Sequence, residues 1–210
     1  NSHFAPAITQ GISQQKIEIK DIIENAATPD FANTIEALEN SGQIIKRTAA
    51  VLYNLSYANT SASLQKIMQK VAPKLSAHND KIFMNLALFR KVKFVWENRK
   101  QQKMTGEKLR LLEIYFKTFV RNGANLKAQD KKRVADINQR LTVLSLEFGK
   151  NILAATNEYQ LIIDNENDLS GLPHSIISAA KDTAVTHPFF RHMVSHCCIF
   201  CSRNDGVRKT

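Results

Sequence analysis

Cysteine is absent from this 210-residue chain until Cys197, and then appears three times, at 197, 198 and 201. An odd, clustered count of that kind gives the body of the protein no disulfide framework. Glycine and proline are scarce, at seven and five residues, which argues against a turn-rich all-β fold. No apolar run approaches the roughly 18 residues of a membrane span. No charged-then-apolar signal segment stands at the start, so no membrane partner is expected and the location reads as cytoplasmic. The chain opens at Asn1-Ser-His-Phe without Met, and a leader lost from that end would make it periplasmic or otherwise extracytoplasmic. Also missing are a P-loop, a dinucleotide fingerprint, a Gly-x-Ser-x-Gly elbow and a His-Glu-x-x-His helix, and with them the nucleotide, hydrolase and zinc-peptidase chemistries those motifs carry.

What is present is 43% hydrophobic and rich in Leu, Ile, Ala, Lys and Gln, a composition that predicts an all-α fold, a multi-helix bundle of six to seven helices. The first helix spans Pro6 to Ala26. Pro29 and Asp30 stop it, and Asn33 with Glu36 is read as the cap of a second helix, Thr34 to Tyr57. Counting Gly42 in its stripe puts Ile35, Leu38, Ile45, Ala49, Leu52 and Leu55 on one face. A third helix from about Ser63 carries Leu64, Ile67, Val71, Leu75 and Ile82, with a bend expected at Pro73. Asn85 caps a fourth, Leu86 to Arg99. Thr105 caps a fifth, Gly106 to Asn122, which Gly123 ends in the left-handed conformation. The sixth and longest, Ala128 to Thr156, has the strongest periodicity in the chain: Val134, Ile137, Leu141, Leu144, Phe148 and Ile152 form one seam, read as a core seam. Tyr159 to Ile163 alternates like a strand. Pro173 to Ala184 makes a short last helix.

The formal charge is +10, and eight of the basic residues fall between Arg90 and Arg110 against Glu97 and Glu107. Such a stripe suits nucleic acid or an acidic protein surface. With no nucleic-acid fold signature and no aromatic stacking platform beside it, it reads first as a solvated face. A basic helical interaction module at residues 90–110 is the alternative function, and no nucleic-acid partner is expected of the preferred one. Glu36 and Glu39 lie one helical turn apart without a His or a glycine-rich loop, so they read as helix surface. His78 reads as a hydrogen-bonded packing residue. Asn54-Leu-Ser and Asn59-Thr-Ser match the glycosylation sequon, with Asn54 inside a helix. His187, His192, His196, Cys197, Cys198 and Cys201 imitate half of a zinc site but lack a second knuckle, so no structural zinc is expected there. No catalytic, cofactor-binding or metal residue is assigned.

The stretch Phe31-Ala-Asn-Thr-Ile-Glu-Ala-Leu-Glu-Asn-Ser-Gly42 resembles the N-terminal signature of the thimet oligopeptidase family of zinc metallopeptidases, in its dipeptidyl carboxypeptidase (peptidyl-dipeptidase) branch. The likeness continues through Ile67 to Leu75, His78, Asn85, Leu88-Phe, Leu111-Leu-Glu, Tyr115, Phe119-Val-Arg-Asn-Gly-Ala124, Ile137-Asn, Phe148-Gly-Lys-Asn and Leu169-Ser-Gly-Leu-Pro173. It implies a helical domain of the neurolysin and thimet oligopeptidase type over residues 1–184, followed by a divergent tail, 185–210, of the kind a shifted reading frame produces. In that family, the resemblance implies, zinc is held by the two His of His-Glu-x-x-His and a later Glu, in a C-terminal half without counterpart in this sequence. The helical half walls a channel for short peptides. The chain is therefore expected to be noncatalytic, to hold no cofactor, to have the missing half as its natural partner, and to expose an apolar face prone to self-association. A strand at 159–163 has lost the partner that the family supplies after Ala184, and is expected to be irregular or to pair with the tail or with a second molecule.

Overall fold

The computed structural model describes residues 1–102, 104, 106–159, 161–163, 165–186 and 199–201. They fall into two compact units, Asn1–Leu146 and Glu147–Thr210. The family resemblance ends at a different place, near Ala184, because it follows sequence likeness and not packing. All seven expected helical stretches are present. Among the described residues the only other sheet or helix forms are short: a π-helical turn, a 3-10 turn and a ribbon of two three-residue strands.

In the first unit, α1 (Phe4–Glu24) buries Ile8, Ile19 and Ile22. The second stretch differs from its sequence reading. It begins with a π-helical turn, Phe31–Glu36, runs into α2 (Ala37–Asn40) and stops. Gly42, expected inside a continuous stripe, instead takes φ +69° and starts α3 (Gln43–Ala58) in a new direction. Its dihedral angle requires glycine, and a Cβ there, 2.4 Å from Nε2 of Gln15, would also push that amide aside. The cap is different too. Asp30, not Asn33, is the N-cap: its Oδ1 accepts from the Asn33 backbone N–H at 2.7 Å, and the Asp30 N–H donates to Asn33 Oδ1 at 3.0 Å. Asn33 is the reciprocal partner in this box, the role the sequence reading gave to Glu36.

Helix α4 (Ala62–Phe83) starts on Ser61, whose Oγ accepts from Leu64 N, and runs on through Pro73. Helix α5 (Leu86–Glu97) is capped by Asn85 as expected, with Leu88 N donating to Oδ1 at 3.0 Å. Helix α6 (Gly106–Arg121) ends at Gly123, φ +85°. Ala124 N there reaches back to Phe119 O, and Gly123 N to Val120 O, the paired bonds of a Schellman ending. The expected cap at Thr105 lies outside the described residues. Two apolar clusters fill the unit. One joins α1, the π turn, α5 and α6 through the fully buried Ile35, Leu88, Val92, Val95, Leu112 and Phe119. The other joins α1, α3 and α4 through Ile8, Leu52, Leu64, Met68 and Val71. At ~1.5 to 3 kcal/mol per buried side chain, these are the terms that hold the bundle together.

Helix α7 (Ala128–Glu158) overturns the reading of its seam. Among its described side chains none is buried. Leu141 is 54% exposed and Phe148 67%, and Ile137, Leu144 and Ile152 are exposed with them; Val134 alone of the six is half-buried. The half-buried positions are Lys131, Val134, Ala135, Asn138, Thr142, Val143, Leu146, Leu153 and Thr156. That stripe is rotated by about 100° from the apolar one, taking 100° per residue. Hydrogen bonds fix this orientation. Lys131 Nζ donates to Met84 O at 2.8 Å, satisfying a carbonyl at the end of α4, and Asn138 Nδ2 donates to Asp80 Oδ1 at 2.8 Å.

In the second unit, β1 (Leu161–Ile163) pairs antiparallel with β2 (Ile199–Cys201), Leu161 opposite Cys201 and Ile163 opposite Ile199. Pairing with the tail was one of the three outcomes expected of a strand without its family partner. A 3-10 turn (Glu166–Leu169) and α8 (His174–Thr186) complete the unit, and Leu169 packs with Ala180 there.

Candidate functional site

The Phe31–Gly42 stretch, which opens the family resemblance, forms the joint between α1 and α3. Asp30 and Asn33 lock its entry, and Asn33 Nδ2 donates to Thr28 O at 2.9 Å, so the loop before the π turn is tied to the turn itself. Its exit is held from α1: Glu18 Oε2 accepts from Gly42 N at 2.7 Å, and Gln15 Nε2 donates to Ser41 Oγ at 3.1 Å. The other end of Gln15 meets α4, where its Oε1 lies 2.9 Å from His78 Nε2. Since the Gln15 amide donates to Ser41, its oxygen is the acceptor and Nε2 of His78 carries the proton. His78 is buried, and burial pushes its pKa below the ordinary imidazole value, with Lys16 and Lys81 adding to the effect. With its Nε2–H given to an amide, and with no group of three or more ligand-type side chains among the described residues, His78 is a structural hydrogen-bonding group. The reading of His78 as packing stands. Its partner Gln15, 63 positions away, had no local signal in the sequence.

Glu36 and Glu39 do not act as a pair. Glu39 accepts from the Tyr115 hydroxyl at 2.6 Å and sits 3.5 Å from Lys46. Burial first, and the Glu39 carboxylate second, raise the Tyr115 pKa, so the phenol stays protonated and donates. Glu36 is exposed and faces an open concavity of about 800 Å³ lined also by Phe31, Met104, Glu107 and Lys108, with Lys108 Nζ 5.5 Å from the Phe31 ring centre. No histidine is among the described residues that line it.

The basic stripe is largely occupied by its own structure. Lys91 donates to Asn25 O, Lys93 pairs with Glu97, and Arg110 reaches Glu113 at 2.9 Å. Arg99 lies 4.2 Å over the Trp96 ring, which itself stacks on Phe116 at 4.9 Å. The aromatic groups near the stripe thus serve the bundle.

Among the described residues, no group of three or more His, Cys, Asp and Glu is placed to hold a metal ion. The tail residues His187, His192, His196, Cys197 and Cys198 lie outside the described residues. The described residues therefore offer zinc no set of three ligands. Nor is any helix among the described residues long and apolar enough to cross a membrane.

No family model matches the sequence. Among curated proteins, the chain is 34% identical over 182 residues to dipeptidyl carboxypeptidase of Salmonella typhimurium, covering 87% of this chain and 27% of that protein. Over nearly nine tenths of its length the chain is similar to part of a dipeptidyl carboxypeptidase. Dipeptidyl carboxypeptidase of Escherichia coli is 32% identical over 184 residues, 88% of this chain and 27% of that protein. Oligopeptidase A of Salmonella typhimurium is 20% identical over 182 residues, 87% and 27%. The chain spans about a quarter of the length of the relatives it matches. The matched part is helical, and the joint described above includes the Phe31–Gly42 stretch that carries the resemblance.

Proposed function

We propose that this chain is the N-terminal helical part of a peptidyl-dipeptidase-like zinc peptidase, a wall of its peptide channel, and that it is noncatalytic by itself. The observation that carries the reading is the match of nearly nine tenths of the chain to about a quarter of each relative, in a sequence where no His-Glu-x-x-His occurs. Metal-assisted peptide hydrolysis needs a metal with an open position, a base for the attacking water and donors for the oxyanion. In the sequence no Glu lies within one helical turn of His192 and His196, where His-Glu-x-x-His places its base. What the helices supply in this reading is shape. The joint at Gly42 and the stacked Trp96 and Phe116 hold a rigid face on which an extended peptide lies once zinc and its ligands are provided elsewhere.

The test is incubation of the purified chain with a quenched-fluorescence peptide and added zinc. The background rate is expected. Chelator-sensitive release of C-terminal dipeptides that survives repurification would overturn the reading.

A further inference from the structure

The outward seam of α7 repeats with a period that an ordinary surface helix does not need. Ile137 and Leu144 are seven residues apart, as are Leu141 and Phe148, and the two series interleave at steps of four and three. That is the a/d pattern of a two-stranded coiled coil, and all four side chains are exposed. Beside the seam, on the edge away from the half-buried stripe, stand Arg140 and Glu147. Both are exposed, and neither has a partner among the described residues. Seven residues apart on one helix they are separated by about 10 Å along its axis, so they do not pair with each other.

We propose that α7 pairs with α7 of a second copy of this chain, antiparallel, about a two-fold axis passing between Thr142 and Val143. In that register Leu141 meets Leu144 of the second copy and Ile137 meets Phe148, so the seam is its own complement. Arg140 then faces Glu147 of the second copy, and by symmetry the pair occurs twice. A parallel, in-register pairing brings Arg140 beside Ser145 and Glu147 beside Ile152, and satisfies no charge. The charge pattern therefore selects the antiparallel arrangement. Asn138 and Lys131, already engaged with Asp80 and Met84, lie toward the other edge and remain free to hold the helix to its own bundle. With so few side chains a copy, against the roughly 20 to 30 residues of a standard interface, the dimer is weak and concentration-dependent. This inference gives a helix and a register to the self-association expected of an exposed apolar face, and it does not depend on the peptidase reading.

Sedimentation velocity of the full chain, with reductant to keep the tail cysteines from cross-linking, is the measurement. A monomer–dimer equilibrium is expected as the concentration rises toward millimolar. Arg140→Glu alone and Glu147→Arg alone each turn two attractions into two repulsions and should weaken dimerisation about tenfold. Mixing these two singly substituted chains restores opposite charges at both positions of a heterodimer, which should form as tightly as the unsubstituted dimer. Leu144→Asp, at an exposed position, should abolish association with the helical circular-dichroism spectrum unchanged. A chain that stays monomeric at every concentration would overturn the proposal and leave the seam to a different occupant. Dimerisation that ignores the charge exchange, or a mixture no tighter than its components, would overturn it as well.

Discussion

Helices α6 and α7 carry apolar seams of similar quality, and the structure treats them oppositely. In α6, Leu112 and Phe119 are fully buried against α5 and the π turn, and Phe119 touches the rings of Phe83 and Phe89. In α7, the more regular seam faces outward while Lys131, Asn138 and Leu146 face the bundle. Periodicity makes a helix one-sided; it does not say which neighbour, or whether any neighbour, takes that side. The deciding contacts for α7 are polar ones, to a helix-end carbonyl and to a buried carboxylate.

The largest effect that would break this contrast comes from truncating one ring in each helix. Phe119→Ala should cost about 3 to 5 kcal/mol in urea unfolding, whereas Phe148→Ala should stay within about 0.5 kcal/mol at dilute protein. Equal losses would mean that the α7 seam is covered in the monomer. Next comes the joint that turns the chain into the buried region. Gly42→Ala combines a positive φ with a collision on Gln15 and should destabilise by about 1 to 3 kcal/mol, read as a lower midpoint at unchanged slope. Of similar or smaller size is the loss of the anchor of α7. Asn138→Ala leaves Asp80, 7% exposed and with its other oxygen unpartnered among the described residues, without its amide, at about 1 to 3 kcal/mol. Hydrogen exchange should rise in α7 and not in α6, which sharpens the claim that polar contacts orient that helix. Removing the cap with Asp30→Ala should cost about 1 kcal/mol.

The smallest effect is a slope with pH. The folded pKa of His78 lies below the unfolded value of about 6.5, so below that pH the unfolded chain binds the extra proton first. Stability from this group is complete above the unfolded pKa and is lost as pH falls through the folded one. His78→Gln should remove that part of the pH dependence, seen by comparing urea midpoints across the acid range.

Much of the bundle was legible because its signals are local. Asn85 before an apolar run, Gly123 after one, and the three- and four-residue steps of Leu109, Leu112, Phe116 and Phe119 each name an element without reference to distant residues. The misreading at Gly42 shows where local reasoning ends. A glycine at a stripe position looks like a small residue in a helix, and only Glu18 and Gln15 on α1 reveal that the backbone there turns left-handed. The capping error is of the same kind: Asp30 and Asn33 are three apart, as are Asn33 and Glu36, and the wider π turn favours the earlier pair. The network through Gln15, Ser41 and His78 was beyond the sequence, since it joins three helical segments across long separations. The likeness itself was legible in the same stretch that was misread structurally, because a word-for-word pattern survives a wrong account of its geometry.

That π turn has a consequence for chain length. At Ala37 the backbone N–H bonds to Ala32 O, five residues back, where an α-helix would close over four. The turn therefore stores one residue more than regular helix requires between two fixed points, the Asp30 cap and the Gly42 corner. A homologue one residue shorter across this stretch can keep both points by closing the turn as ordinary α-helix, whereas a deletion inside α3 would rotate everything after it by about 100°. Within the aligned family, a gap in this neighbourhood therefore belongs between Phe31 and Glu36.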